Sequence, residues 1–127
     1  MGISGTQLEI TAEFSGTSSE PFGVSVLSGS GGKTNLVVDQ TREYVLIDGT
    51  AQGNPKPRAG PILGGADKVW MHAFVDGNTI EVIFNNQTAI TTQVHPKAEG
   101  GGVEIFGTGK GVTVELNAWA LEQANNL

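Results

Sequence analysis

HAFVDGNTIEVIFNN, residues 72–86, sets two alternating runs on either side of Gly77-Asn78. A two-residue loop with glycine first suits a type II′ turn, whose twist matches that of the flanking strands. Counting back from that loop places Asp76 opposite Thr79, Val75 opposite Ile80, Phe74 opposite Glu81, Ala73 opposite Val82, His72 opposite Ile83 and Met71 opposite Phe84. Side chains alternate across a strand, so the hairpin has two faces of different character. Met71, Ala73, Val75, Ile80, Val82 and Phe84 form a wholly apolar face, which reads as core. Trp70, His72, Phe74, Asp76, Thr79, Glu81, Ile83 and Asn85 form the other.

The same period extends outward. Leu8, Ile10, Ala12 and Phe14 alternate with Gln7, Glu9, Thr11 and Glu13. Strand signals follow in FGVSVLSG, TNLVVDQ, EYVLIDGT, VWMHAFVD, TIEVIFNN, TAITTQV, VEIFG and GVTVELNAWAL, with Thr41-Arg42 as the link between the third and fourth strands. AQGNPKPRAGPILGGADK reads as a long loop with a short extended piece at Pro61 to Leu63. In the last strand Val112, Val114, Leu116, Ala118 and Ala120 share one face, and Trp119 lies on the other. About ten short strands spaced by turns, with no helical period, predict an all-β fold. The expected architecture is a two-sheet antiparallel β-sandwich of jelly-roll, lectin-like type, one domain over residues 1–127.

Composition agrees. Hydrophobic residues make up 38% and charged residues 16%, and 19 glycines with 5 prolines supply the turns. Cysteine is absent, which excludes disulfides and thiolate chemistry. A net charge of −6 with scattered basic residues argues against nucleic acid. No run approaches the ~18 apolar residues of a membrane helix, and MGISGTQLEI is not a signal peptide. GSGG and EGGG lack the following helix or GK[ST] of a phosphate loop and are read as turns. Asn86-Gln87-Thr88 has the form of a glycosylation sequon. Two separated histidines and the lack of a dense Asp/Asn loop argue against a metal. No cofactor is expected.

Aromatic rings beside carboxylates and amides are what sugar binding requires, because rings stack on sugar C–H faces and acceptors take hydroxyl hydrogens. Trp70, His72, Asp76 and Glu81 on the mixed hairpin face are therefore candidates. Arg42, Glu43 and Asp48, read as lying on the central strand pair, and Arg58 in the Pro-Gly loop add planar donors and acceptors able to fix several hydroxyls at once. The alternatives are a face packed against protein and an arginine–carboxylate pair that pins the loop. Asp76 and Glu81 lie on an open face without the enclosing pocket that raises an acid's pKa.

The stretch MHAFVDGNTIEVIFNNQTAITTQVHP, residues 71–96, resembles a segment of the carboxy-terminal β-sandwich of glycoside hydrolase family 32, the invertases, levanases and inulinases. QLEITAEFS, LVVDQTREYVLID and GVTVELNAWAL fit the same family, so the resemblance covers nearly the whole chain. In that family the chemistry belongs to a separate five-bladed propeller, marked by a W-M-N-D-P-N-like motif, an R-D-P motif and an E-C motif. None occurs here, so catalysis by this chain is not expected. The resemblance implies one of two roles. The first is a non-catalytic carbohydrate-binding module for a fructan or another fructose-containing sugar. The second is a structural domain that packs on a catalytic propeller or on a second copy. A chain excised from a secreted hydrolase would be extracellular.

Overall fold

The computed structural model describes residues 7–29, 32–54, 56–61, 67–95, 102–108 and 111–120. The strands among the described residues are β1 (Gln7–Gly16), β2 (Phe22–Gly29), β3 (Gly32–Asp39), β4 (Tyr44–Asp48), β5 (Arg58–Pro61), β6 (Lys68–Asp76), β7 (Thr79–Phe84), β8 (Thr88–Gln93), β9 (Gly102–Phe106) and β10 (Val112–Ala120), with a 3-10 turn at Thr50–Gln52. They form two five-stranded sheets, β10-β1-β6-β7-β8 and β5-β4-β3-β2-β9. Every pairing is antiparallel, and the result is the two-sheet jelly-roll-type sandwich expected from the sequence.

The opening hairpin pairs in the register that its turn dictates, from Asp76↔Thr79 to Met71↔Phe84. Gly77 has φ 59° while Asn78 keeps a negative φ, the pattern of a type II′ turn. β1 continues the inner face on the other side of β6, with Leu8 opposite Val75, Ile10 opposite Ala73 and Ala12 opposite Met71. All of these are fully buried. Phe14 and Phe22 close one end of the core, their rings tilted with centroids 5.0 Å apart. Val114, Leu116 and Ala118 of β10 pack on the core from its edge, as the periodicity of that strand predicts.

The extended piece expected at Pro61 to Leu63 begins earlier, at Arg58, and its last two residues lie outside the described residues. Pairing explains the shift: Arg58, Ala59, Gly60 and Pro61 complete the edge of β4. Pro57 precedes this short edge strand and Pro61 ends it, positions where the missing N–H costs no inner ladder bond. The centre of the glycine-rich SGSGGK turn and most of HPKAEGGG also lie outside the described residues.

One buried polar group ties the second sheet together. β2 carries a bulge between Val26 and Gly29, and Leu27 within it has φ 52° yet stays buried. A bulge leaves ladder groups without strand partners. Gln52, the last residue of the 3-10 turn, supplies the missing partner: its Nε2 donates to the Leu27 carbonyl at 2.9 Å. Its Oε1 accepts from the Thr34 hydroxyl at 2.6 Å, and the whole residue is 1% exposed.

Replacing Gln52 with leucine leaves the Thr34 hydroxyl and the Leu27 carbonyl buried without partners, at a cost of about 2–4 kcal/mol. Urea unfolding of Gln52→Leu measures it. At Gly77 a Cβ would meet open space, so Gly77→Ala isolates the strain of a positive φ, about 1–2 kcal/mol in the same assay.

Candidate functional site

The outer face of the first sheet is built from alternate residues of β1, β6, β7 and β10. Its centre line is β6, where Trp70, His72 and Phe74 stand in a row, two residues apart and half-buried. Trp70 and His72 meet edge to face with centroids 5.5 Å apart, and His72 and Phe74 meet at 4.6 Å. These rings present much of their surface to one another. Ile83 extends the row onto β7, opposite His72. Trp119 extends it onto β10, opposite Glu9, and is 42% exposed, unusual for a residue of that size.

Charged and amide groups between the rings are paired within the face. His72 Nε2 lies 2.7 Å from Glu9 Oε2. A carboxylate only accepts, so Nε2 carries the hydrogen and donates it. Lys68 Nζ stands 3.0 Å from Glu13 Oε1, and Gln7 Nε2 donates to Asp76 Oδ1 at 3.1 Å. The Lys68 pKa is raised above its ordinary value, first by the hydrogen bond to Glu13 and then by the negative charge of that carboxylate. At the Lys68 end the face dips into a shallow hollow of about 380 Å³, walled by Trp70, Lys68, Glu13, Asn85 and Asn86. Both asparagines have positive φ in the turn between β7 and β8, and Asn85 bridges to the Trp70 backbone, its Oδ1 accepting from Trp70 N at 2.7 Å.

The eight candidate residues do not form one cluster. Trp70, His72, Asp76 and Glu81 share the outer face of the first sheet, with Glu81 exposed opposite Phe74. Arg42 and Glu43 lie in the turn between β3 and β4, which is longer than the Thr41-Arg42 link read from the sequence, so neither stands on the strand pair as a site residue. Four residues, Gln40 to Glu43, make that turn, and Glu43 takes a positive φ of 59° to close it. The buried Asp39 carboxylate holds the turn by accepting from Arg42 N at 3.0 Å. The Arg42 guanidinium donates to Tyr44 Oη at 3.2 Å, and its pKa is raised, first by Tyr44 and then by Asp39. Asp48 sits at the opposite end of β4, accepting from the Thr50 backbone and hydroxyl at the start of the 3-10 turn. Arg58 opens β5, in a lateral cleft beside β8. Glu9, Glu13, Lys68 and Asn86 were not candidates from sequence; the alternation of β1 places both glutamates outward, but their partners arrive from a strand some 60 residues away. Among the described residues, no group of three or more His, Cys, Asp or Glu is arranged to hold a metal.

Two antiparallel five-stranded sheets with an open aromatic face on one of them make this a β-sandwich domain in class. The family comparison says which: residues 1–120 match the model of "Glycosyl hydrolases family 32 C terminal", and the chain belongs to that family. The match is to the C-terminal domain and not to the catalytic one, in accord with the missing catalytic motifs. Solved structures with the same fold include fructan 1-exohydrolase IIa from Cichorium intybus, 14% identical with a TM-score of 0.76 over 97% of this chain and 32% of that one. Aspergillus kawachii beta-fructofuranosidase is 19% identical, with a TM-score of 0.72 over 89% of this chain and 22% of that one. Sucrose-6-phosphate hydrolase from Lactobacillus gasseri is 17% identical, also at 0.72, over 94% and 25%. The chain therefore spans 22% to 32% of the length of these enzymes. Curated protein sequences yield no match.

The raised Lys68 pKa fixes a pH dependence. A cation whose pKa is higher in the folded state stabilises that state fully below its unfolded value, about 10.4, and the contribution disappears as pH rises through the folded value. Thermal melts of the wild type should lose this contribution only as pH rises above about 10.4, with a shallower fall in Lys68→Met. The effect is small, because both partners are largely exposed.

Proposed function

We propose that this domain is the non-catalytic companion of a catalytic domain acting on fructosides, and that the outer face of its first sheet is a protein-docking surface. The pairing within that face carries the reading. Glu9, Glu13 and Asp76 each already give one carboxylate oxygen to a partner on β6 or β1, which leaves Glu81 as the one hairpin carboxylate on that face without a partner among the described residues. What the face offers a partner is the row Trp119, Phe74, His72, Trp70 and Ile83. An apolar centre with charges, most of them paired, at its margins is the anatomy of a protein interface. A solvent-facing tryptophan beside further rings is also a common anchor in such interfaces. The relatives support the context, since in each the matching region occupies a minor part of a longer fructoside-acting enzyme.

A second reading, binding of fructose or a fructan, is favoured by the hollow at Trp70. It is small and concave, and it offers one ring, one carboxylate, one ammonium and two amides.

Two measurements separate the readings. Mixed with the catalytic domain of a family 32 enzyme from the same organism, the wild-type domain should sediment as a one-to-one complex, and Phe74→Glu or Trp119→Glu should abolish it. A domain that sediments alone at micromolar concentrations of both overturns the docking surface. Calorimetric titration with levan, inulin, sucrose and fructose tests the hollow: heat that Trp70→Ala removes establishes sugar binding there, and no heat with any of them ends that reading.

A further inference from the structure

We propose that the lateral cleft between β5 and β8 is a binding site for a small anionic saccharide, a sugar phosphate or a sugar carboxylate. β5 and β8 are edge strands of opposite sheets, and between them opens a cleft of about 770 Å³. That is within the range of small-molecule sites. β5 can come close to β8 because its central residue is Gly60: a Cβ there would lie 2.6 Å from Thr88 Cγ2.

The cleft is closed at both ends. At one end the Thr88 hydroxyl donates to the Pro61 carbonyl at 2.6 Å. At the other, Asn54 Nδ2 donates to the Gln93 carbonyl at 2.5 Å, while Asn54 Oδ1 accepts from Thr92 at 3.4 Å. From Thr88 to Gln93 β8 advances about 17 Å. A di- or trisaccharide fits that length, whereas an extended peptide would have to break one closure to run through.

Charge decides the ligand class. Lys33 faces Glu104, Arg42 faces Asp39 and Lys68 faces Glu13. Among the described residues, Lys56 and Arg58 have no carboxylate partner, and both line this cleft. In a chain of net charge −6 they form a local positive site whose lining, among the described residues, holds no carboxylate. A guanidinium fork matches a phosphate or carboxylate in two parallel bonds, and the ammonium adds a mobile point charge. Thr91 and Gln93 bring a hydroxyl and an amide for sugar hydroxyls, and Ile90 and Ala59 give an apolar wall for a C–H face. The cleft lies at the β8 edge of the first sheet, where Thr91 is two strands from Phe74, but Lys56 and Arg58 take no part in the aromatic row, so its success or failure is independent of the docking reading.

The test is an NMR titration of the isotopically labelled chain with fructose 6-phosphate, glucuronate, inorganic phosphate and fructose. The two anionic sugars should shift the amides of Arg58, Thr91 and Gln93 saturably, at least about tenfold more tightly than phosphate or fructose alone. The tighter of the two identifies the anionic group. The double substitution Lys56→Gln, Arg58→Gln, on exposed side chains, should weaken both by about tenfold or more. Trp70→Ala should change nothing. Three results would each overturn the proposal: no saturable shift, inorganic phosphate binding as tightly as the sugars, or binding that survives the double substitution.

Discussion

Everything in this domain depends on one cross-strand register. Leu8, Val75 and Ile80 lie in one row across β1, β6 and β7; Ile10, Ala73 and Val82 lie in the next; Ala12, Met71 and Phe84 lie in the third. All are buried against the second sheet. A slip of β6 by one residue would turn Met71, Ala73 and Val75 to water and bring Trp70, His72, Phe74 and Asp76 to the core side. Burial of such side chains is worth about 1.5–3 kcal/mol each for the larger ones. No feature of the outer faces can compete with that, so the inner rows set the register and the outer rows inherit it.

The outer face is therefore a consequence of the core with chemistry of its own. Once Leu8 and Ile10 face inward, Glu9 must face outward, and the register with β6 brings it within reach of His72. Glu13 meets Lys68, and Gln7 meets Asp76, by the same logic. The rings between these pairs make a surface that is neither an ordinary solvated sheet face nor a pocket. The lateral cleft has a different origin. It arises where edge strands of the two sheets come side by side without pairing into one ladder, and its bounds are set by a glycine and by hydrogen bonds at its two ends.

Legibility followed the range of the interactions. The 71–84 hairpin could be read to the residue, because a two-residue loop and a strict period of two are both local. The inward face of β10 was legible for the same reason. Gln52 was not: in AQGNPKPRAG it looks like an exposed loop residue, and nothing local shows that a bulge at Leu27 needs its amide. Arg42 and Glu43 were misplaced because a positive φ at a glutamate has no sequence mark. The eight candidate residues were grouped by chemical type, and type does not report which side of a sandwich a residue occupies.

The sequence by itself determined that this is an all-β chain, where its strands alternate, which face of each is core, and, through its motifs, its kinship with family 32 sandwich domains. These are properties of neighbouring residues, and the hydrophobic effect acts on them through the fixed period of a strand. Only the tertiary structure decided that Glu9 pairs with His72, that Gln52 fills the bulge, and that Arg58 stands in a cleft with Lys56 and far from Trp70. Those outcomes join residues distant in the chain or lying on different sheets, and the geometry that joins them exists only after both sheets have closed on one core.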